Sequence, residues 1–567
     1  MPSRLSPRRR FFAAGIAIFA MVGAFAAVGF PGVARTAKAA ASAKPFCNAR
    51  PALCTEVAEP WNYQGQYTGH DEPSLLFYSN VPGSGNNNDY HLTLPKDPPT
   101  PPNDAGTGGT FNFQLHPAFW FGMAMCDNQS APMPGKDCTP DSDNNIYTST
   151  DPKSEHYLGK APGVAFMEMQ FYPPGWGNVG TGISCGPDNT QWCAALNIDS
   201  LSTNSNTGQL NTAACLNQTG EEYVNYAIIT KSGHSQAPAD PLRQTLLTFS
   251  TTPDTLEMNS GDRLSVYLHD TPDGFKVNIE DVTTGQSGSM TASIANGFGH
   301  PLFQPNATTC TDQPYAFHPM YSTSSPNTRV LWAAHSYNIA YSDEIGHSEY
   351  CNAVDPTTGN CTSAGVNDPN GLDSDDAGCF TLPLSTAGNQ PFSMCTATEN
   401  DFDGPEYQHN WPGSNPNPVA DQLVHASPVT ISSPIFWSSY GGGPFNFQRV
   451  AFENDLPRVE GADTSPNNNC QRHVSNPADP HPGQGCIDPP NGASFYPIYS
   501  AVRTSNGACV WEEGDANLPN TINNFGGTPS AEYGGLLLLN YPVAGPSVSQ
   551  RYNDFRQILN TNPCVGG

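Results

Sequence analysis

Apolar and polar residues alternate with a period of two along many short segments of the chain, whereas the period of an amphipathic helix is nearly absent. The clearest example lies at residues 261–298, where segments 264–268 and 275–279 each alternate in this way. Residues 271–274, with the sequence Thr-Pro-Asp-Gly, have the composition of a β-turn between these two segments. A third strand is predicted over 290–294, so the pattern indicates an antiparallel meander.

Short strand-like segments separated by turn residues recur over the rest of the chain. Gly and Pro account for 53 and 55 of the 567 residues, a larger share than average. We therefore predict a mainly β protein with an antiparallel β-sandwich or jelly roll, rich in loops and stabilised by disulfides. The expected organisation is a sandwich domain over 44–350, a Cys- and Asp-rich insertion or linker over 351–420, and a β-rich region over 421–567. The last region either forms a second domain or completes the sandwich.

The N-terminal segment, residues 1–43, has the three parts of a secretory signal peptide. Four arginines precede an uncharged apolar stretch at 11–33, and small-x-small patterns follow at 37–39 and 41–43. Since no apolar run of 18 residues follows, we expect no membrane span once the signal has been removed. The protein is therefore expected to be secreted and to work outside the cell.

The arginines of this segment also bear on the route of export. Arg8 and Arg9, with Phe11 and Phe12 after them, resemble a twin-arginine signal. An ordinary basic signal sequence would contain the same residues, so both routes stay open.

Sixteen cysteines follow the signal, and an even number in an exported chain predicts a disulfide framework. Pairing between sequence neighbours is the default expectation where the spacing is short. The neighbouring pairs are Cys47–Cys54, Cys126–Cys138, Cys185–Cys193, Cys351–Cys361, Cys379–Cys395 and Cys470–Cys486. The four remaining cysteines, which would then pair over longer distances, are Cys215, Cys310, Cys509 and Cys564.

The chain is strongly acidic, with 51 Asp and Glu against 23 Lys and Arg and a formal net charge of −28. Removal of the signal would take away basic residues only, and no basic cluster lies beyond it. Nucleic acids and anionic membranes are therefore excluded as partners, because both require clustered Lys and Arg. The acidity is compatible with simple solubility, with calcium binding and with an acidic medium. We expect a monomer.

The first catalytic candidate is the apolar segment 164–174. Written as a strand, it places Ala165, Met167, Met169 and Phe171 on one face, and Glu168 and Gln170 on the other with Phe166 and Tyr172. Aromatic side chains stack on sugar rings, and a carboxyl group desolvated among them has a raised pKa that suits acid catalysis. The alternative is a solvated sheet face without chemistry.

This segment resembles the catalytic strand of the concanavalin A-like sandwiches, which include lectins and laminarinase-type glucanases. In those glucanases the strand reads E-x-D-x-E; here Gln170 and Tyr172 stand in place of the second and third carboxylates. A retaining pair is thus not supplied by this strand alone. The segment is also similar to the Y-E-W-Y-P strand of fungal-type glutamic peptidases, β-sandwiches that use a Gln and a Glu. Residues 278–286 are similar to the E-N-x-S-T-G-Q stretch of the same peptidases.

The second candidate lies at 335–351, where His335, His347 and Glu349 fall among further acids and tyrosines. Histidine with carboxylates forms a proton relay or binds a transition metal. The H-E-x-x-H spacing of metalloproteases is absent. The alternative is a polar cluster at the rim of a sheet.

The third candidate is a calcium loop in the Cys- and Asp-rich region. Oxygen-bearing side chains recur at every second or third position around a Gly, which suits a hard cation. The pattern is similar to the Asp-rich loops of thrombospondin type 3 repeats, and a plain acidic loop is the alternative. The expected ligands of a structural Ca²⁺ are Asp368, Asn370, Asp373, Asp375 and Asp376.

These observations lead to three functional hypotheses. The first is a secreted β-sandwich protein that binds or hydrolyses extracellular polysaccharide, with Glu168 as the acid. The second is an acid glutamic-type peptidase with a polypeptide substrate. The third is a non-enzymatic surface or adhesion protein. The sequence alone does not decide whether the protein is an enzyme, but a hydrolase is the expected class if it is one.

Overall fold

The structure is a computed structural model of the chain. The residues that it describes are 74–94, 119–147, 153–172, 191–204, 206–325, 328, 339–343, 349–354, 361–364, 380–381, 392–394, 430–456, 499–513, 537–539, 550–559 and 561–565.

Strands dominate these residues, as the period-two pattern predicts. Those of the first part of the chain are β1 (Ser74–Tyr78), β2 (Asn87–Thr93), β3 (Phe119–Cys126), β4 (Val164–Tyr172), β5 (Cys193–Leu201), β6 (Thr203–Asn204), β7 (Gln209–Leu210), β8 (Glu222–Ile228), β9 (Arg263–Thr271), β10 (Gly274–Asp281), β11 (Gln286–Thr291), β12 (Gly299–Pro301) and β13 (Asp312–Pro314). Those of the second part are β14 (Ala340–Asp343), β15 (Glu349–Val354), β16 (Cys361–Ala364), β17 (Phe380–Thr381), β18 (Phe392–Met394), β19 (Thr430–Ser432), β20 (Ile435–Phe436), β21 (Phe445–Asn446), β22 (Arg449–Leu456), β23 (Tyr499–Arg503), β24 (Cys509–Glu513), β25 (Leu537–Leu539) and β26 (Gln550–Leu559). The α-helix of the described part is α1 (Ala213–Thr219).

Most of these strands belong to two large antiparallel sheets. Sheet 1 has the order β25-β26-β22-β1-β14-β3-β4-β5-β8. Sheet 2 has the order β11-β10-β9-β2-β19-β24-β23, and β20 and β21 extend it beside β2. Strands that follow residue 430 pair with β1 and β2 near the start of the described chain, so both sheets combine distant parts of the sequence. Strands β15 to β18 form a separate four-stranded sheet.

The larger hydrophobic core lies between sheets 1 and 2, and the strands on both sides confirm the predicted mainly β, antiparallel fold. Alternate residues of each strand supply it, such as Met167 of sheet 1 and Val266 of sheet 2. Aromatic rings join the two layers directly: Tyr90 of β2 contacts Phe121 of β3 with ring centroids 4.5 Å apart. Each large apolar side chain buried in this way stabilises the fold by about 1.5–3 kcal/mol.

The meander predicted at 261–298 forms β9, β10 and β11, and the apolar residues of its first two strands point into the core. The prediction for the third strand was wrong in its bounds, because β11 ends at Thr291 rather than continuing to Ile294. Ser293 is the reason: its side chain accepts a hydrogen bond from the backbone N–H of Asn296 and caps a single helical turn over Ile294–Asn296.

Three disulfides are present among the described residues. The predicted neighbouring pair Cys126–Cys138 is confirmed, and the predicted long-range cysteines form Cys215–Cys310 and Cys509–Cys564. The last pair ties β24 of sheet 2 to the segment after β26 of sheet 1. Cys193 is also disulfide-bonded, and the other neighbouring pairs predicted from the sequence stay predictions. No helix in the described ranges has the length and apolar character that crossing a membrane requires.

Candidate functional site

The candidate site is the outer face of sheet 1, which is the face opposite the hydrophobic core. Ala165, Met167, Met169 and Phe171 of β4 point into the core, so the alternation of a strand directs Glu168 and Gln170 to the outer face. This is the division of faces that the sequence predicts. The outer face carries its own apolar cluster, which includes Trp120 and Phe166.

Glu168, Gln170, Tyr172 and Asn197 form one hydrogen-bonded network, called here the Glu168 network. The Gln170 side-chain amide donates to Oε2 of Glu168 at 2.6 Å. Its carbonyl oxygen accepts hydrogen bonds from the hydroxyl of Tyr172 at 2.6 Å and from the amide of Asn197. Because both ends of the Gln170 amide are bonded, the network fixes the orientation of its donor toward Glu168.

Tyr172 of the network and the nearby Tyr226 stay protonated. Burial raises the pKa of Tyr172 well above its ordinary value, and the neighbouring Tyr226 raises it further. Burial also raises the pKa of Tyr226, which lies on β8, two strands away from β4, with its ring centroid 6.4 Å from that of Tyr172. Both hydroxyls therefore act as neutral hydrogen-bonding groups over the whole physiological pH range.

Trp120 and Phe166 flank Glu168 on the outer face. Their rings meet edge to face with centroids 5.5 Å apart. Gly122 is the residue of β3 that pairs with Glu168, and its lack of a side chain leaves room for both rings. The carboxylate of Glu168 is consequently bordered by aromatic surface, as the sequence predicts, and retains only 4% of its accessible surface.

Asp199 is a second carboxylate on this face that the sequence analysis did not identify. In the pairing of β4 with β5, Asn197 lies opposite Glu168 and Asp199 lies opposite Phe166. Asp199 is therefore a diagonal neighbour of Glu168 on the same face, and diagonal neighbours in antiparallel strands are typically about 7–8 Å apart, with somewhat shorter Cβ–Cβ distances. Like Glu168, it is nearly buried, with 6% of its surface exposed. The signal that could have found it is the polar alternation of Asn197 and Asp199 within an otherwise apolar strand.

Of the remaining predicted catalytic residues, Glu349 is the one that the structure describes, and it is not part of sheet 1. Glu349 belongs to β15, which lies in the separate four-stranded sheet. His335 and His347 are outside the described residues. Within the candidate segment 335–351, Ile339 and Tyr341 are described, and both lie in the hydrophobic core.

The predicted calcium ligands Asp368, Asn370, Asp373, Asp375 and Asp376 also lie outside the described residues. Within the described ranges, no group of three or more His, Cys, Asp or Glu side chains is arranged to hold a metal ion. The calcium site thus stays a prediction.

The outer face offers two carboxylates on neighbouring strands, an oriented amide donor and a border of aromatic rings. Such a set can transfer a proton to a leaving group, stabilise a developing charge and position a water molecule. Comparisons of the chain with protein-family models, with curated proteins and with solved structures found no match.

Proposed function

We propose that the protein is a secreted hydrolase of extracellular polysaccharide, with Glu168 and Asp199 as its pair of carboxylates. The observation that carries the proposal is the β4–β5 register, which places the two residues diagonally on one sheet face. Glycoside hydrolases act with two carboxyl groups about 5–9.5 Å apart. Asp199 thus provides the second carboxylate that Gln170 and Tyr172 do not supply within β4.

Glu168 is the general acid in this proposal. Its surroundings favour that role, since nearby Trp120 and Phe166 are buried apolar rings and only a small part of its surface meets water. Proton donation to the glycosidic oxygen is the step that such a carboxyl group supports. Asp199 then acts on the opposite side of the sugar ring, either on a water molecule or on the anomeric carbon itself.

Export from the cell is part of the proposal. It is supported by the signal-like N-terminal segment and by the disulfides, which persist in oxidising compartments. The route, through the twin-arginine system or another, is not needed for the enzymatic argument.

The test is hydrolysis of soluble polysaccharides, beginning with laminarin and other β-glucans, measured as release of reducing ends. Glu168→Gln and Asp199→Asn are each expected to lower kcat by about a hundred- to ten-thousandfold, since each removes one member of the carboxylate pair. Glu280→Gln is the matched control, because Glu280 is an exposed carboxylate on sheet 2. Hydrolysis that survives in both variants, with melting temperatures unchanged, would refute the proposal.

A second candidate, an acid peptidase, is favoured by one specific contact. The amide of Gln170 donates to the carboxylate of Glu168 at 2.6 Å, so the Gln and Glu that a glutamic-type peptidase requires lie together. In this mechanism Glu168 activates water, and the Gln170 amide stabilises the oxyanion that forms on the scissile carbonyl.

Asp199 and Gln170 separate the two candidates. Gln170→Ala should abolish cleavage of casein at acid pH if the protein is a peptidase, while Asp199→Asn should then have a small effect. If Asp199→Asn instead abolishes hydrolysis of a polysaccharide while Gln170→Ala has a small effect, the result supports the glycosidase. A wild-type protein that is inactive on both substrate classes, yet folded, would leave the non-enzymatic adhesion hypothesis as the only survivor.

A further inference from the structure

A second, separate cleft lies at one end of the outer face of sheet 2. Its volume is about 350 Å³, which is within the range of small-ligand sites. Five parts of the chain supply its walls: the start of β2, the loop after β3, the β9–β10 hairpin, the segment around His318 and the loop that contains Ser439. Its main polar residues are Asn86, Asn87, Asp141, Asp270, His318 and Ser439.

The polar groups of the cleft are fixed by hydrogen bonds to one another. His318 Nδ1 and Asp270 Oδ1 are 2.8 Å apart, and the pKa of His318 is raised by this hydrogen bond. The side-chain amide of Asn86 donates to Asp141 Oδ1 at 2.7 Å. Since Asp141 also interacts electrostatically with both Asp270 and His318, these four side chains act as one preorganised cluster.

Two rings form an aromatic wall beside this cluster. Tyr267 and His269, alternate residues on the outer face of β9, stack with centroids 4.2 Å apart and an interplanar angle of 18°. The Tyr267 hydroxyl donates to Oδ1 of Asn87 at 2.6 Å, and Trp437 meets the Tyr267 ring edge to face. The wall is therefore held rigidly, and it carries a polar atom at its edge.

Asp141 is held in a conformation that the chain rarely adopts. It is a non-glycine residue with a φ of 56°, in the left-handed region that is costly for most residues. Its backbone N–H donates to the carbonyl of Pro319, and its carbonyl accepts from the Tyr440 hydroxyl at 3.2 Å. Backbone strain maintained by contacts from two other segments is characteristic of binding and catalytic positions.

Two polar atoms of the cleft lack a hydrogen-bond partner among the described residues. Asn86 is 2% exposed, yet its Oδ1 atom has no hydrogen-bond partner among the described residues. Nδ1 of His269, a buried atom of a half-buried side chain, also has no hydrogen-bond partner among the described residues. Buried polar atoms are rarely left unpaired in folded proteins, so these two point to a bound group that completes them.

We propose that this cleft is a second carbohydrate-binding site, distinct from the Glu168 network. No Lys or Arg is among its lining residues, which disfavours an anionic ligand. Carboxylate and amide oxygens need hydroxyl donors, and the Tyr267–His269 wall offers a flat surface for the apolar face of a sugar ring. The ligand class rests on the proposed function, whereas the location of the site does not.

The experiment is calorimetric titration of the full secreted chain with soluble polysaccharides and their oligosaccharides. The Glu168→Gln background prevents turnover of the probe. Tyr267→Ala and Asp270→Asn should each weaken binding by about tenfold or more, equivalent to at least 1.4 kcal/mol. Tyr267→Phe, which keeps the ring, should retain most of the affinity, and His91→Ala is the control because it is exposed on the same face outside the cleft.

Asp141→Asn is a second variant, chosen because it should fold normally, so that a loss of binding cannot be attributed to misfolding. Asn tolerates a positive φ as well as Asp does, so the substitution removes the charge without a backbone penalty. Binding that is unchanged in folded Tyr267→Ala and Asp141→Asn chains, or that is undetectable in the parent chain, would overturn the cleft proposal. Loss of binding in these variants while Glu168→Gln leaves hydrolysis intact would instead support the cleft and reject the Glu168 mechanism.

Discussion

Gly122 lies directly opposite Glu168 in the pairing of β3 with β4, and two aromatic rings occupy the space beside it. A Cβ atom added at Gly122 would lie 2.5 Å from ring atoms of both Trp120 and Phe166. The glycine is therefore the reason that aromatic surface can border the carboxylate of Glu168.

Gly122→Ala should disturb the candidate site without touching any of its polar groups. The added methyl group forces both rings to move, and overpacking of this kind costs about 1–3 kcal/mol of unfolding free energy. Urea unfolding measures that loss, and hydrolytic activity, where it is found in the wild type, should fall in parallel. A variant of wild-type stability and activity would show that the rings move freely and do not define the site.

Asp127, which directly follows β3, is the centre of a largely buried polar cluster beside sheet 1. Its carboxylate is hydrogen-bonded to His300 Nδ1 at 2.8 Å, to the hydroxyls of Ser200 and Tyr223 at 2.7 and 2.8 Å, and to the backbone N–H of Gln129 at 2.9 Å. Asp127→Ala removes one partner from three buried side chains and from the part-buried N–H of Gln129 at once, so we expect a loss of about 3–5 kcal/mol of unfolding free energy. Equilibrium unfolding at pH 7 checks this value, and a loss below 1 kcal/mol would contradict it.

The same cluster predicts a pH dependence of stability. Burial by itself raises the pKa of Asp127, but the charge and hydrogen bond of His300, together with the other donors, outweigh burial and bring the pKa below its ordinary value. A carboxyl whose pKa is lower in the folded state stabilises the protein above its unfolded pKa of about 3.9, and that stabilisation is lost as the pH falls through the folded value. When the pH is lowered below 4, the urea concentration at the unfolding midpoint should therefore decrease more for the wild type than for Asp127→Asn.

Local alternation was enough to predict the meander and the two faces of β4, because both depend on residues within one strand or one hairpin. Asp199 was not predicted as a site residue, because its position beside Glu168 depends on the register between β4 and β5. A connection of more than 15 residues separates these two strands. A shift of one residue in that register would turn Asp199 to the other face.

The cleft on sheet 2 was missed for a related reason. Asn86, Asp141, Asp270 and His318 come from four segments that are far apart in the sequence, and none of them carries a motif. The disulfides also show that long-range contacts are not predictable from local sequence. The short spacing of Cys126 and Cys138 predicts that they pair, whereas the partners of Cys215 and Cys509 follow only from the fold.

Ionisation of Glu221 should change stability with pH in the opposite direction to ionisation of Asp127. It is 8% exposed, and burial raises its pKa from 4.5 to about 7. The folded state then binds more protons than the unfolded state between these two values, so stability decreases as the pH rises through this window. Glu221→Gln should remove the decrease and stabilise the protein at pH 8 by on the order of 2–3 kcal/mol.

Melting curves of the wild type and Glu221→Gln at pH 4, 6 and 8 measure this effect. The two proteins should have similar stability at pH 4, where Glu221 is protonated in both the folded and the unfolded state, and should diverge at higher pH. A constant difference at all three values would mean that ionisation of Glu221 is not its source.

Substitution of Gly83 should affect both the stability of the protein and the shape of the cleft on sheet 2. It has a φ of 86°, and a Cβ atom there would lie 2.8 Å from the Cα atom of Ser438, in the loop that brings Ser439 and Tyr440 to the cleft. Gly83→Ala is therefore penalised twice, by backbone conformation and by collision, and we expect it to cost about 1–3 kcal/mol of unfolding free energy.

The collision should also displace the loop and weaken the support that the Tyr440 hydroxyl gives to the carbonyl of Asp141. Oligosaccharide affinity of folded Gly83→Ala should accordingly fall below that of the parent chain. Gly285→Ala is the matched control, since Gly285 has a φ of 76° but nothing within 4 Å of its added Cβ. It shares the conformational penalty without the collision, so equal loss of affinity in the two variants would show that the 438–440 loop does not shape the cleft.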